Sequence, residues 1–208
     1  VANGFPREDG FDITVASVGA LWRIDGENPR VPSKGEIRKA LAKVGWRHVR
    51  LDEKARTVFL DEPGVRIGLG GIAKGYAVDR AITVLGARGV RAAIIDAGGD
   101  TGILGRDGDR PWRIGIRHPR AQDATIAWFD AADTTVHTSG DYERFMMVKG
   151  KRYAHILDPT TGWPASKARS VTVVTKDGTL GDALATGIFV MGPSEGLRLA
   201  GSLPGVEA

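Results

Sequence analysis

From Thr101 to Thr175 the chain reads as an almost unbroken series of short alternating strands and turns, with helical periodicity on either side of it. The strand segments are Trp112 to Ile116, Thr125 to Phe129, Thr134 to Thr138, Arg144 to Val148, Ala154 to Leu157 and Ser170 to Thr175. Consecutive strands joined by turns pair antiparallel, whereas a parallel sheet needs a helical crossover after each strand. The fold class this implies is α+β, a mainly antiparallel sheet with packed helices. The 208 residues, with 42% hydrophobic and 26% charged, are enough for a real core.

The helices carry their own signals. Asp12 is a candidate N-cap for a short helix to Trp22. Ser33 with Glu36 forms a capping box for an amphipathic helix to about Val44. Two short strands are expected at Trp46 to Leu51 and Thr57 to Leu60, and a brief one at Val65 to Leu69. A helix then runs to about Arg88, with Val78, Ile82 and Leu85 on its packed stripe and Gly89 ending it. Ala92 to Asp96 reads as an apolar strand closed by a glycine turn. Helices return at Leu180 to Met191 and from Ser194 to about Ser202.

Bulk properties narrow the chemistry only a little. There is no cysteine, which removes disulfides, thiolate metal sites and cysteine nucleophiles together. A formal charge of +4 suits phosphate-bearing ligands. The basic clusters Arg113/Arg117/Arg120 and Lys149/Lys151/Arg152 are small, and read as solvated surface with no nucleic-acid partner. No apolar run is long enough to span a bilayer, and no signal peptide is read in the chain. It starts at Val1 without methionine, as a processed or trimmed form would.

Four segments could carry chemistry. In Gly68-Leu69-Gly70-Gly71-Ile72-Ala73-Lys74-Gly75, glycines between a strand and a helix start favour an anion, and Lys74 adds a cation. The same segment satisfies G-x-G-x-x-A, with Asp96 ending the next strand, which keeps open a nicotinamide-binding reading. Glycines kept for helix–strand packing alone are a further alternative. Asp182 and Thr186 stand four apart near a helix start, on the face opposite Leu184, Ile188 and Met191. Their hard oxygens suit Mg²⁺ bridging phosphates, although Asp182 as a mere N-cap is the plainer alternative. His155, before a Pro-led turn, could act as general base, hold a phosphate or be structural. Thr138 to Arg144 reads as a hairpin turn whose hydroxyls could line a cleft.

Together these segments resemble the ApbE family of flavin transferases. The resemblance rests on Gly10-Phe11-Asp12, Gly70 to Asp79, Asp96 to Asp100, Thr138 to Arg144, His155 to Pro159 and Asp182 to Thr186, in the family's order. It implies a T-fold-like domain over 1–208, short of the family's N-terminal segment and C-terminal end. The activity implied is Mg²⁺-dependent transfer of FMN from FAD to a threonine of a partner protein, releasing AMP. A pyrophosphatase that hydrolyses FAD and a passive FAD-binding module are the alternatives. The resemblance further implies that Asp182 and Thr186 bind Mg²⁺ through side chains, and Gly71 and Ala185 through carbonyls. Gly10, Phe11, Asp12, Gly68, Lys74 and Ile156 would serve the FAD site, and His155 would assist the acceptor hydroxyl. At Gly68 many relatives carry an acidic residue, whose contact a glycine cannot make. The acceptors implied are subunits of ion-pumping redox complexes. The location implied is periplasmic, tethered to the inner membrane through an N-terminal lipid.

Overall fold

The computed structural model describes residues 10–24, 28–121 and 123–208. In chain order its elements are α1 (Ala16–Gly19), α2 (Lys34–Leu41), β1 (Val49–Asp52), β2 (Thr57–Leu60) and α3 (Ala73–Ala87). There follow β3 (Ala93–Asp96), β4 (Asp100–Leu104), β5 (Trp112–Arg117), β6 (Thr125–Ala131) and β7 (Thr134–Gly140). The last are β8 (Phe145–Val148), β9 (Lys151–Ala154), β10 (Ser170–Thr175), α4 (Gly178–Met191) and α5 (Pro193–Ser202). Every strand pair in the named sheets is antiparallel, so the class is α+β. The chain divides into two compact units, the first formed by 1–69 with 143–166 and the second by 70–142 with 167–208.

The first unit holds α1, α2 and the hairpins β1–β2 and β8–β9, and its buried cluster is Val18, Trp22, Ile37, Met146 and Leu157. Trp22 anchors this core: its Nε1–H donates to Gly162 O at 3.0 Å and its ring meets Trp163 edge-on at 5.3 Å. The capping box at Ser33 and Glu36 forms as the sequence predicts. Asp12 likewise caps, but a 3-10 turn over Ile13–Val15 comes first and leads into α1.

In the second unit β10, β7, β4 and β3 lie in that order in one sheet. Gly102 and its cross-strand partner Thr135 face the helices, as do Asp100 and its partner His137. Ile103 and Val136 point the other way and bury the inner face of the β5–β6 hairpin, including Ile114 and Phe129. The strand period of two thus splits one sheet between two apolar layers. Helix α4 is buried over most of its length, and it packs on β7, β10, α3 and α5. Gly89 ends α3 as expected: its N–H donates to Gly86 O and that of Val90 to Leu85 O, the Schellman pattern.

Several expectations need correction. Val65 to Leu69 pairs with no strand among the described residues. Gly68 N–H donates to Ile13 O at 2.8 Å, and the segment stays extended without a ladder. The nicotinamide reading falls with it, since no strand leads into α3 and the sheet is antiparallel where a doubly wound fold is parallel. Residues 138–144 do not turn a hairpin, because β7 pairs with β4 and β10 whereas β8 pairs with β9 in the other unit. Trp46–His48 is a 3-10 turn that precedes β1, and β9 ends at Ala154 instead of starting there. The N-cap of α4 is Asp177, whose side chain accepts from Leu180 N–H, which leaves Asp182 in the helix body.

Candidate functional site

Helix α3 begins at Ala73, and its first turn lies against α4 so closely that only glycine fits. A Cβ on Gly75 would stand 2.0 Å from Gly178 O and 2.8 Å from Asp182 Cβ. That approach lets Gly75 N–H donate to Asp182 Oδ2 at 3.1 Å. Asp79, one turn further along α3, accepts from the N–H groups of Gly178 and Thr179, both at 2.8 Å, and so fixes the start of α4.

Asp182 is 4% exposed. Burial, and next the Asp100 carboxylate, push its carboxyl above the ordinary range; Gly75 N–H, Lys74 and His137 pull the other way. One turn along α4, Thr186 Oγ1 lies 3.2 Å from Ser139 Oγ on β7. Beside Asp182 runs a second set of charges. Lys74 Nζ is 2.5 Å from Asp100 Oδ2 and donates to Gly98 O at 3.2 Å. Asp100 Oδ1 lies 2.8 Å from His137 Nδ1, and both side chains are fully buried.

This donor set fits a hard divalent cation. A carboxylate whose pKa is raised by burial, and next by a neighbouring carboxylate, is stabilised as an anion by a nearby positive charge. Thr186 adds a hydroxyl oxygen on the same helix face as Asp182. Gly71 lies in the turn before α3, and Ala185 is buried on α4 between the two side-chain donors. No group of three His, Cys, Asp or Glu able to hold a metal occurs among the described residues. A cation here would therefore rely on hydroxyl, carbonyl, water and phosphate oxygens, the pattern of Mg²⁺.

The remaining expected site residues lie in the first unit. Asp12 is committed internally: Oδ1 accepts from Thr14 N–H at 2.8 Å and Thr14 Oγ1–H at 2.5 Å, and Oδ2 from Trp46 N–H at 2.9 Å. Gly10 is buried and Phe11 half-buried. Gly68 packs against Ala16, whose Cβ would be 2.9 Å from a Cβ at that position. Ile156 is buried and its carbonyl accepts from Ala165 N–H. His155 Nδ1 lies 3.1 Å from Arg144 O. A carbonyl only accepts, so Nδ1 carries the proton and Nε2 is the basic nitrogen of the neutral ring.

Sequence reasoning missed the roles of Asp100, His137, Ser139 and Asp79. Asp100, Asp79 and Ser139 lie inside the segments singled out in the sequence, whereas His137 has no metal-ligand spacing to the other histidines. A histidine within an otherwise apolar and hydroxylic strand was the one available signal. Two cavities of about 640 and 490 Å³ lie in the second unit, one lined by Asp79, Arg80 and Lys176 and the other by Leu197 and Val171; neither is lined by Asp182 or Thr186.

Comparison with known proteins gives a consistent family. The model of the ApbE family matches residues 7–208. A FAD:protein FMN transferase of Klebsiella pneumoniae (strain 342) is 38% identical over 192 residues, 91% of this chain and 59% of the relative. One from Treponema pallidum (strain Nichols) is 35% identical, over 95% of this chain and 59% of the relative. Among solved structures, an ApbE protein from Thermotoga maritima superposes with a TM-score of 0.87 at 42% identity, covering 95% of this chain and 65% of that one. The chain thus spans about 59% of the length of these curated relatives.

Proposed function

The chain belongs to the ApbE family, and from that premise we propose that it is the greater part of a single flavin-transferase domain that moves FMN from FAD to a threonine of a partner protein. The observation that carries this reading is the buried Asp182 carboxyl, with Thr186 one turn on and the Lys74 ammonium beside Asp100. Such an arrangement suits a pyrophosphate and its metal. The threonine oxygen bonds to the FMN-side phosphorus, the pyrophosphate P–O bond breaks, and AMP leaves with the bridging oxygen.

The chain's own residues divide the work. Asp182 and Thr186, with the carbonyls of Gly71 and Ala185, would hold Mg²⁺, which when bound offsets the phosphate charge as a Lewis acid. Lys74 adds a fixed cation at the start of α3, where the helix dipole has the same sign. His155 takes the acceptor hydroxyl proton on Nε2, its tautomer set by Arg144 O. Gly10, Phe11, Asp12, Gly68 and Ile156 serve FAD; for Asp12 the role is to hold the backbone, since both its oxygens are already engaged. Acceptors of the kind found in ion-pumping redox complexes, and a periplasmic place tethered to the inner membrane, complete the proposal. No described helix is long and apolar enough to cross a membrane.

The test is to incubate the protein with FAD and Mg²⁺, with and without a threonine-bearing acceptor domain. AMP together with covalent flavin fluorescence on the acceptor supports transfer. AMP with free FMN alone would replace transfer by hydrolysis, and FAD left intact in both samples would overturn the reading.

A further inference from the structure

We propose that His137 is a positioning residue for nucleotide binding: it fixes Asp100, and Asp100 fixes the ammonium of Lys74. The inference rests on the reading of Lys74 as a pyrophosphate contact. His137 and Asp100 are direct cross-strand partners on β7 and β4, so their side chains leave the sheet on the same face. The two oxygens of Asp100 are divided between two partners. Oδ1 accepts from His137 Nδ1 at 2.8 Å, and Oδ2 forms an ion pair with Lys74 Nζ at 2.5 Å.

The imidazole cannot trade places with another donor. It is fully buried, and a Cβ on Gly181 would stand 2.3 Å from its Cδ2 and 2.9 Å from its Nε2. Helix α4 thus clamps the ring from behind at the residue preceding Asp182. Nε2 has no hydrogen-bond partner among the described residues. A carboxylate oxygen only accepts, so Nδ1 carries a proton directed at Asp100 Oδ1.

Lys74 needs this help. Its side chain is 42% exposed, and only its tip is held, by Asp100 and Gly98 O. A lysine stem has many rotamers, and ordering it on a ligand would otherwise be charged against binding. A carboxylate locked on its far side by a wedged imidazole keeps the ammonium at one address before the nucleotide arrives.

The test measures FAD affinity by flavin fluorescence with EDTA present, so that no turnover is needed. His137→Leu keeps bulk but removes the donor and should weaken FAD binding roughly tenfold. His137→Asn returns an N–H close to the Nδ1 position and should recover most of that loss. In a Lys74→Met background His137→Leu should add little, because its effect passes through the lysine. Wild-type affinity in His137→Leu, or the full loss repeated in the Lys74→Met background, would overturn the proposal. If the leucine variant fails to fold, His137→Asn and His137→Gln decide, since Gln carries its amide to the Nε2 position; equal affinities would overturn it. A wild-type protein that binds no FAD would bring down the functional reading itself, and this proposal with it.

Discussion

Asp182 is where opposing electrostatic demands meet, and this makes its contribution to stability depend on pH and on metal. An acid whose pKa is higher folded than unfolded binds protons more readily in the native state. Its native state therefore loses relative stability as pH rises from the ordinary 3.8 toward the raised value. Asp182→Asn removes that penalty, so with EDTA the variant should melt above the wild type at pH 7.5, and the gap should close near pH 4. With Mg²⁺ the order should reverse. A site that binds only the folded wild type gains about 2.7 kcal/mol at a hundred times Kd, a gain denied to the variant. FMN transfer should fall by more than the roughly 10–100-fold that loss of an outer metal-site group costs. Thermal melts at both pH values, with EDTA or Mg²⁺, check the first two statements; melts that coincide in every condition would remove Asp182 from the metal site. Asp182 and Thr186 were legible in the sequence because i,i+4 spacing puts their oxygens on one helix face whatever the rest of the fold does. Asp100 and His137 were not, since they stand 37 positions apart on strands whose register only the folded sheet sets.

At the scale of elements, the approach of α3 to α4 sets the site, and glycine sets the approach. Gly75→Ala would drive a methyl into Gly178 O and Asp182 Cβ, of which the first is backbone and cannot turn aside. The cost should reach or exceed the ~1–3 kcal/mol typical of overpacking, read as a lower urea midpoint. Gly86→Ala, in the same helix, is the control. A Cβ there meets nothing within 4 Å, so the added helix propensity should raise stability by roughly 0.4–1 kcal/mol. Equal effects of the two would mean that the helices can part. Local signals placed most elements: the capping box of α2, the glycine stop of α3 and the alternation of β5 to β7 all act within a few residues of chain. Val65–Leu69 has the composition of a strand, but strands exist by pairing and it has no strand neighbour among the described residues. The stretch after Gly140 has the look of a hairpin turn, but its second arm belongs to another unit.

For the whole molecule, the chain forms two compact units, each assembled from two separated stretches of chain. Each has an apolar cluster of its own, Trp22 with Val18, Ile37, Met146 and Leu157 in the first, and Ile103 with Ala131 and Val136 in the second. Trp22 loses most on truncation: its buried ring, its edge contact with Trp163 and its hydrogen bond to Gly162 O. Trp22→Ala should therefore cost roughly 3–5 kcal/mol, and the loss should be local. Hydrogen exchange should accelerate at the backbone amides of α2 and β8–β9, which frame that core, while those of α4, β4 and β7 keep their protection. Because Asp182 and Thr186 stand on α4, the Mg²⁺-dependent rise in protection should persist in the second unit of the variant. Uniform acceleration through both units would instead mean that they unfold as a single cooperative body, and that the metal-linked stability belongs to the entire chain.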